Sequence, residues 1–384
     1  MILVFAGAGA SYAICPDLYP TTDKFLDRLS PYAKSHSWYD AAVKYLKSRH
    51  ESIDIEVVLK LLDEMREYCD NSTSVGSFAG WVLRERLESL KPALQTRLNL
   101  LNLKEFFTQL QITKRELDEL SKVIHTDLYR CYSPQPPSSR LKDWISLLEA
   151  IASPCGGLEI FTTNYDRVLE EVINESQQLV LNVPNEREAK DRVLGRRYDG
   201  REPWIDLCYW CPSHTLPEGN RVRLTKLHGS VDWQRESPYI ALDNAAAEAT
   251  DRLLRGETGG MQSIERKILI SRPNDTSSRY SDVLIYPGFK GESQDEPFVT
   301  FRDHFHRVVS ETKAAIFIGY SFRDKYIKDI LCDLPEGIPK YIIDKQERPP
   351  YQAFLRDAAH FGDGFTQESV TACIDSLKEH RLIF

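Results

Sequence analysis

Four short polar clusters in this chain carry side chains able to hold a phosphorylated sugar or move a proton, and each directly follows an apolar run. The first is Gly7-Ala8-Gly9-Ala10-Ser11, after Met1 to Phe5. Glycine permits a sharp turn and a close approach to a pyrophosphate, whose oxygens the backbone amides then face. A helix start nearby adds positive dipole. The third glycine of the usual dinucleotide fingerprint is absent, so the cluster reads equally as a tight turn with no ligand. The second cluster is Phe161-Thr162-Thr163-Asn164-Tyr165-Asp166. Alternate residues just past a strand can face one crevice. An amide plus a carboxylate suits a ribose hydroxyl, an attacking water and a carboxamide, although Asn and Asp are also the favoured helix N-caps. The third is Lys226-Leu227-His228-Gly229-Ser230, in which His228 at a strand end is placed for proton transfer near neutral pH. The fourth is Gly319-Tyr320-Ser321-Phe322-Arg323-Asp324, small and hydroxyl-bearing as a nucleotide-binding edge requires. Asp344 closes the strand after it and can accept hydrogen bonds from ribose or adenine, or act as a cap.

Metal chemistry finds less support. Of eight cysteines only Cys208 and Cys211 lie close together, in Cys-Tyr-Trp-Cys, and the second pair of a four-ligand zinc site is missing. Ordinary reduced cysteines of a cytosolic protein are the expectation, with no metal. His304-Phe305-His306 could hold metal on a strand, but its surroundings read as helical and polar, which predicts a solvated face.

The elements that position these clusters alternate strand with helix. Met1 to Phe5, Leu158 to Thr162, Val222 to Leu227, Val283 to Pro287, Ala314 to Ile318 and, last, Tyr341 to Ile343 read as strands. Helices are expected near Leu141 to Ile151, through Val168, Leu169 and Val172, and from Gln367 to Leu382. Residues 174–221 read as strands and excursions of the sheet. Between Lys24 and about Leu128 the spacing predicts four to six helices: Ile55, Val58, Leu59 and Leu62 share one face, and Leu83, Leu87 and Leu90 another. The fold class is therefore α/β: a Rossmann-like parallel sheet flanked by helices, with a large helical insert after the first strand. The expected domains are 1–23 with 140–384 for the sheet and 24–139 for the insert. Such sheets bind ligands at the carboxyl ends of their strands, so the four clusters can meet in one crevice.

The chain has 384 residues, 42% hydrophobic and 28% charged, enough for one large or two modest domains. A formal net charge of −8 argues against a general nucleic-acid coat. No apolar run reaches the roughly 18 residues a bilayer span needs. No targeting segment is legible, which predicts the cytoplasm.

In this order the clusters resemble the sirtuin family: Gly-Ala-Gly-x-Ser, then Thr-x-Asn-x-Asp, then His-Gly, then Gly-x-Ser, then a strand ending in a polar residue. The resemblance covers about half the chain, in pieces at 1–25, 158–172, 222–233 and 314–345. It implies NAD as substrate and no resident metal. Ala8, Gly9 and Ser11, with Thr21 and Thr163, would contact the dinucleotide. Asn164 would hold the nicotinamide ribose and a water. Asp166 would help recognise the carboxamide, and His228 would be the base or would orient the ribose. Gly319, Ser321 and Asp344 would line the adenosine side. The four-cysteine zinc module of the deacetylases is missing, and their Thr-Gln-Asn-Ile-Asp reads Thr162-Thr163-Asn164-Tyr165-Asp166. These departures resemble the sirtuin-like domains of bacterial anti-phage defence proteins. That closer resemblance implies an NAD-depleting hydrolase, a homo-oligomer, and a separate partner such as an ATP-driven DNA translocase or a short Argonaute. It implies no direct nucleic-acid or membrane binding. A non-catalytic NAD or ADP-ribose sensor and, behind it, an NAD-dependent protein deacylase are the competing readings.

Overall fold

The computed structural model describes residues 1–49, 53–71, 103–132, 134–155, 158–182, 192–197, 204–206, 221–231, 234–236, 239–241, 258–263, 298–345 and 353–383. The expected strand at Val283 to Pro287, the helical face at Leu83 to Leu90 and the Cys208–Cys211 pair lie outside them. The chain divides into two compact units, one holding residues 1–21 and the described residues from 129 onward, the other the described residues among 22–128.

The first unit is built on a seven-stranded sheet, all of whose pairs are parallel. In chain order its strands are β1 (Ile2–Ala6), β2 (Leu158–Thr162), β3 (Val180–Asn182), β6 (Arg221–Lys226), β10 (Ala314–Ile318), β11 (Lys340–Ile343) and β12 (Ala359–Phe361). Their spatial order is β12-β11-β10-β1-β2-β6-β3. β1, β2 and β10 are buried along their whole length, as apolar runs covered on both faces must be. The sheet runs outward from β1 through β2 and β6, then resumes on the other side of β1 with β10. That makes the β1–β10 boundary its topological switch point.

Alternation along β1 sends Leu3 and Phe5 to one face. There they join Phe161, Ala315, Phe317 and Ile342 under α9 (Phe298–Glu311) and α10 (Lys325–Leu331). Two further helices, α7 (Lys142–Cys155) and α11 (Gln367–Glu379), pack on each other and on sheet strands. Helix α1 (Ala8–Ile14) follows β1 directly, and α8 (Val168–Glu175) follows β2. Away from the main sheet, β4 (Arg192–Arg197), β5 (Trp204–Asp206) and β9 (Thr258–Ser263) form an antiparallel sheet, and β7 (Gln234–Glu236) pairs with β8 (Tyr239–Ala241). The stretch expected to feed the main sheet between 174 and 221 thus contributes β3 to it and places β4 and β5 elsewhere.

The second unit contains five helices among the described residues: α2 (Thr22–Arg28), α3 (Pro31–Ser35), α4 (Ser37–Ser48), α5 (Ile55–Asn71) and α6 (Leu103–Tyr132), the last running into the first unit. Ile55, Val58, Leu59 and Leu62 form the buried face of α5, as their spacing requires. Ser30 caps α3, and its own amide is held by Asp127 of α6 at 2.9 Å. Among the described residues no helix is long and apolar enough to cross a membrane.

Two expectations are corrected. Tyr341 to Ile343 is not the last strand. The edge strand β12 follows it, three residues long and too short to show a period. The pair His304 and His306 is helical, as expected, but only His306 is solvated, beside Asp333 at 2.9 Å. His304 packs inward, its Nε2 3.0 Å from Glu159, because Glu159 is a fully buried carboxylate in β2 that needs hydrogen-bond donors around it. Arg223 of β6 supplies the other partner, donating from Nη1 at 3.1 Å.

Candidate active site

Parallel register brings the strand ends level. Ala6 pairs with Thr162 and with Ile318, Thr162 with Lys226, and Ile318 with Ile343. Residues two positions beyond these ends, Ala8, Asn164 and His228 among them, therefore leave neighbouring strands at the same height. The connecting backbone is tied accordingly: Leu227 N–H donates to the Thr162 carbonyl at 2.8 Å and Val231 N–H to the Tyr165 carbonyl at 3.0 Å.

The glycine turn does something more local than its sequence suggests. Gly9 N–H donates to the Gly319 carbonyl at 2.9 Å, and Gly7 N–H to the Ile318 carbonyl at 2.9 Å. The amide of Gly9 is thereby tied to protein rather than facing a phosphate. A Cβ on Gly319, whose φ is +57°, would lie 2.2 Å from the Ala10 nitrogen. These glycines let two turns pack backbone to backbone across the switch point.

Asn164 sits at the centre of the buried polar groups. Its backbone amide is held by the Thr162 hydroxyl at 3.0 Å, and that hydroxyl donates to the Ala6 carbonyl at 2.9 Å. The side-chain amide donates to the Gly7 carbonyl at 3.0 Å and to Ser11 Oγ at 2.9 Å. Both N–H bonds being used, the carbonyl Oδ1 faces the other way, and it is buried with no hydrogen-bond partner among the described residues. Ser11 relays the interaction, because its hydroxyl in turn bonds the Asp166 carboxylate.

Asp166 is buried, and burial holds its carboxyl above the usual carboxylate range. The nearby Lys226 charge, the Val168 amide and the Ser11 hydroxyl oppose that rise. Its Oδ1 accepts from Val168 N–H at 3.0 Å at the start of α8, so the capping role is present in the structure. Lys226 is itself buried. It pairs with Glu170 at 2.7 Å and donates to Ser230 Oγ at 2.8 Å and to the Asp166 main-chain carbonyl. A charge so placed stiffens the turn that carries Asn164 and Asp166.

His228 is 4% exposed. Its Nε2 lies 2.9 Å from Asp324 Oδ2. Gly229, at φ +84°, turns the chain immediately after it. Asp324 caps α10 through Oδ1, which accepts from Tyr326 N–H at 2.9 Å and Ile327 N–H at 3.3 Å. Sequence reading passed over Asp324, Lys226 and Glu170 as site residues. The aspartate before Lys325-Tyr326-Ile327 carries a cap signature, but nothing in the sequence pairs it with a histidine 96 residues away.

Of the remaining candidates, Ala8, Gly9, Thr163, Gly319, Ser321 and Asp344 follow strand ends, and Thr21 lies in the loop before α2. Ala8, Gly9, Thr21, Thr163, Gly319 and Asp344 are partly exposed, and Ser321 is exposed. The loop ending at Thr21 is anchored from both sides: Tyr19 donates to the Pro134 carbonyl at 2.5 Å and Tyr132 to the Pro20 carbonyl at 2.8 Å. Among the described residues no group of three or more His, Cys, Asp or Glu is placed to hold a metal ion.

An all-parallel sheet flanked by helices, with glycine turns and buried polar side chains at its switch point, defines a Rossmann-like α/β protein. More particularly, the chain belongs to the SIR2-like domain family, whose sequence model matches residues 158–362. That span carries Asn164, Asp166, His228 and Gly319 but not the turn at Gly7. No curated protein matches the chain. Solved structures similar to it include two Sir2 structures. One is described as "Structural Basis for the Mechanism and Regulation of Sir2 Enzymes", with 10% identity over 99% of this chain and 92% of that one and a TM-score of 0.38. The other is a Sir2 histidine-to-alanine variant with a deacetylated p53 peptide and 3′-O-acetyl ADP-ribose, with 12% identity over 100% and 94% and a TM-score of 0.35.

Proposed function

We propose that this chain is an NAD⁺ glycohydrolase that binds NAD across the carboxyl edge of its sheet and cleaves the nicotinamide–ribose bond. The observation that carries the reading is the buried, unpartnered Oδ1 of Asn164. Leaving an acceptor bare in a folded interior costs about 1–3 kcal/mol. Here its geometry is fixed from behind by Gly7 and Ser11, so it is a preorganised acceptor for a ribose hydroxyl or a water O–H.

The nicotinamide of NAD⁺ leaves as a neutral molecule, so departure needs little acid catalysis. The water oxygen bonds to ribose C1′ as the C1′–nitrogen bond breaks, and the electron pair goes to the nicotinamide ring. The proton released is taken up by a base, and the products are nicotinamide and ADP-ribose. In this reading Asn164 positions the water against an oxocarbenium-like ribose. His228 takes a proton from that water or from a ribose hydroxyl. Asp166 acts on the carboxamide side. Ala8, Gly9, Ser11, Thr21 and Thr163 border the phosphates and ribose, and Gly319, Ser321 and Asp344 the adenosine. The helical unit at 22–128 serves as a lid or an oligomerisation element, in a cytoplasmic effector that depletes NAD against phage when a separate partner signals.

Nicotinamide release from NAD by the purified full chain, alone and with the neighbouring gene's product, tests this. Wild type releases nicotinamide, and Asn164→Ala and His228→Ala fall by about a hundredfold or more. Equal release by the variants discards the assignment. Intact NAD bound with no product in every assembled state makes the protein a sensor.

A further inference from the structure

We infer that Asp324 is a positioning residue that fixes which nitrogen of His228 is the base, an inference that rests on the glycohydrolase reading. Both side chains are more than nine-tenths buried, and the Nε2–Oδ2 separation is 2.9 Å. A carboxylate oxygen can only accept, so Nε2 carries a proton, and in the neutral imidazole Nδ1 keeps the lone pair. Among the described residues Nδ1 makes no hydrogen bond. The carboxylate cannot turn away, because its other oxygen is held by the Tyr326 and Ile327 amides at the start of α10. The chain entering this cap is set by Phe322, which stands at φ +54°. Its ring packs edge-on against Phe317 at 5.2 Å and Tyr320 at 4.9 Å between centroids. A bulky residue holds that left-handed conformation only when its surroundings over-determine it. Helix start, aromatic cluster and carboxylate together therefore aim one histidine tautomer.

The chemical consequence follows directly. The water or ribose O–H gives its proton to Nδ1, and the imidazolium so formed is stabilised by the Asp324 carboxylate on its far side. Asp324 touches neither substrate nor water. It acts through His228.

Asp324→Asn separates this role from the cap. Asn caps helices as well as Asp does, so Oδ1 still takes the Tyr326 and Ile327 amides. Its Nδ2 replaces Oδ2 and donates to Nε2, which drives the ring proton to Nδ1 and removes the base. In the full chain assayed with NAD, kcat falls by about 10²–10⁴-fold with KM little changed and the unfolding midpoint unmoved. Imidazole ¹⁵N spectra of wild type show His228 protonated at Nε2, and those of the variant show it protonated at Nδ1. In a His228→Ala background, Asp324→Asn produces no further loss. Wild-type turnover by Asp324→Asn, an unchanged tautomer, or a full additional loss in the His228→Ala background each overturns the inference. If wild type itself releases no nicotinamide, the glycohydrolase reading fails while the tautomer spectra still decide the pair.

Discussion

Substituting Asn164 by alanine separates a functional amide from a structural one, because the two roles predict opposite balances of stability and turnover. The side chain makes two donor bonds, to the Gly7 carbonyl and to Ser11 Oγ. Their loss removes about 1 kcal/mol each of net stability. Neither partner is stranded: the Gly7 carbonyl keeps the Ala10 amide at 2.9 Å, and Ser11 keeps its bond to Asp166. Against this, the variant removes the bare Oδ1 and recovers about 1–3 kcal/mol of desolvation penalty. Allowing about 1 kcal/mol for the small void, the net change is no more than about 2 kcal/mol destabilising. Turnover behaves differently, since a hundredfold loss corresponds to about 2.7 kcal/mol on the barrier. The assay pairs denaturant unfolding of the full chain with nicotinamide release under conditions where the variant stays folded. A stability loss above about 4 kcal/mol, with activity falling only as the folded fraction falls, would refute the reasoning.

Four further outcomes are expected. Gly319→Ala places a methyl 2.2 Å from the Ala10 nitrogen at φ +57°, so it should lose more than about 3 kcal/mol in thermal unfolding. Gly337→Ala, at φ +75° with nothing within 4 Å, should lose only the strain of about 1–2 kcal/mol. Asp166→Asn should gain stability relative to wild type as pH rises. Burial raises the Asp166 carboxyl in the fold, so its contribution is complete below its unfolded value near 3.8 and is lost as pH climbs through the folded value; a flat difference in unfolding midpoint from pH 4 to 8 would contradict this. Glu159→Leu alone leaves Arg223 charged and buried and should cost about 3–5 kcal/mol, whereas Glu159→Leu with Arg223→Leu should recover most of it, as a double-mutant cycle would show.

How much was legible depended on whether a residue's role is local. The strands at Leu158–Thr162 and Ala314–Ile318 coincide with their largely apolar runs, because a strand buried on both faces is mostly apolar, Glu159 being the paired exception. Helix α5 was visible for the same reason, one apolar face repeated at helical spacing. β12 was not, since Ala359-His360-Phe361 carries no run and is a strand only because β11 offers an edge to it. Glycine spacing at Gly7 and Gly9 marked a real turn but not its partner: the tight contact is with Gly319, more than 300 residues on, and no local signal encodes it. His304 misled for a related reason. Its immediate neighbours Arg302, Asp303 and Arg307 are polar, and its inward direction is fixed by a carboxylate in a distant strand.

The physical reason that such distant residues can share one site lies in the register. Hydrogen bonding fixes Ala6, Thr162, Lys226, Ile318 and Ile343 level with one another, so whatever leaves those strands leaves them at one height. Burial there is polar. Ser11, Asn164, Asp166, Lys226, His228, Ser230 and Asp324 are all buried at or beyond the carboxyl ends of β1, β2, β6 and β10. Stability alone would not select this, because a satisfied hydrogen bond contributes about 1 kcal/mol net and an unsatisfied acceptor costs more than that. Most of these groups are matched to one another: Lys226 to Glu170 and Ser230, Ser11 to Asp166, His228 to Asp324. Asn164 Oδ1 and His228 Nδ1 are acceptors that the network leaves open among the described residues. They stand on adjacent strands two residues past a registered pair, Thr162 and Lys226, which is where a ligand with hydroxyl donors would have to enter.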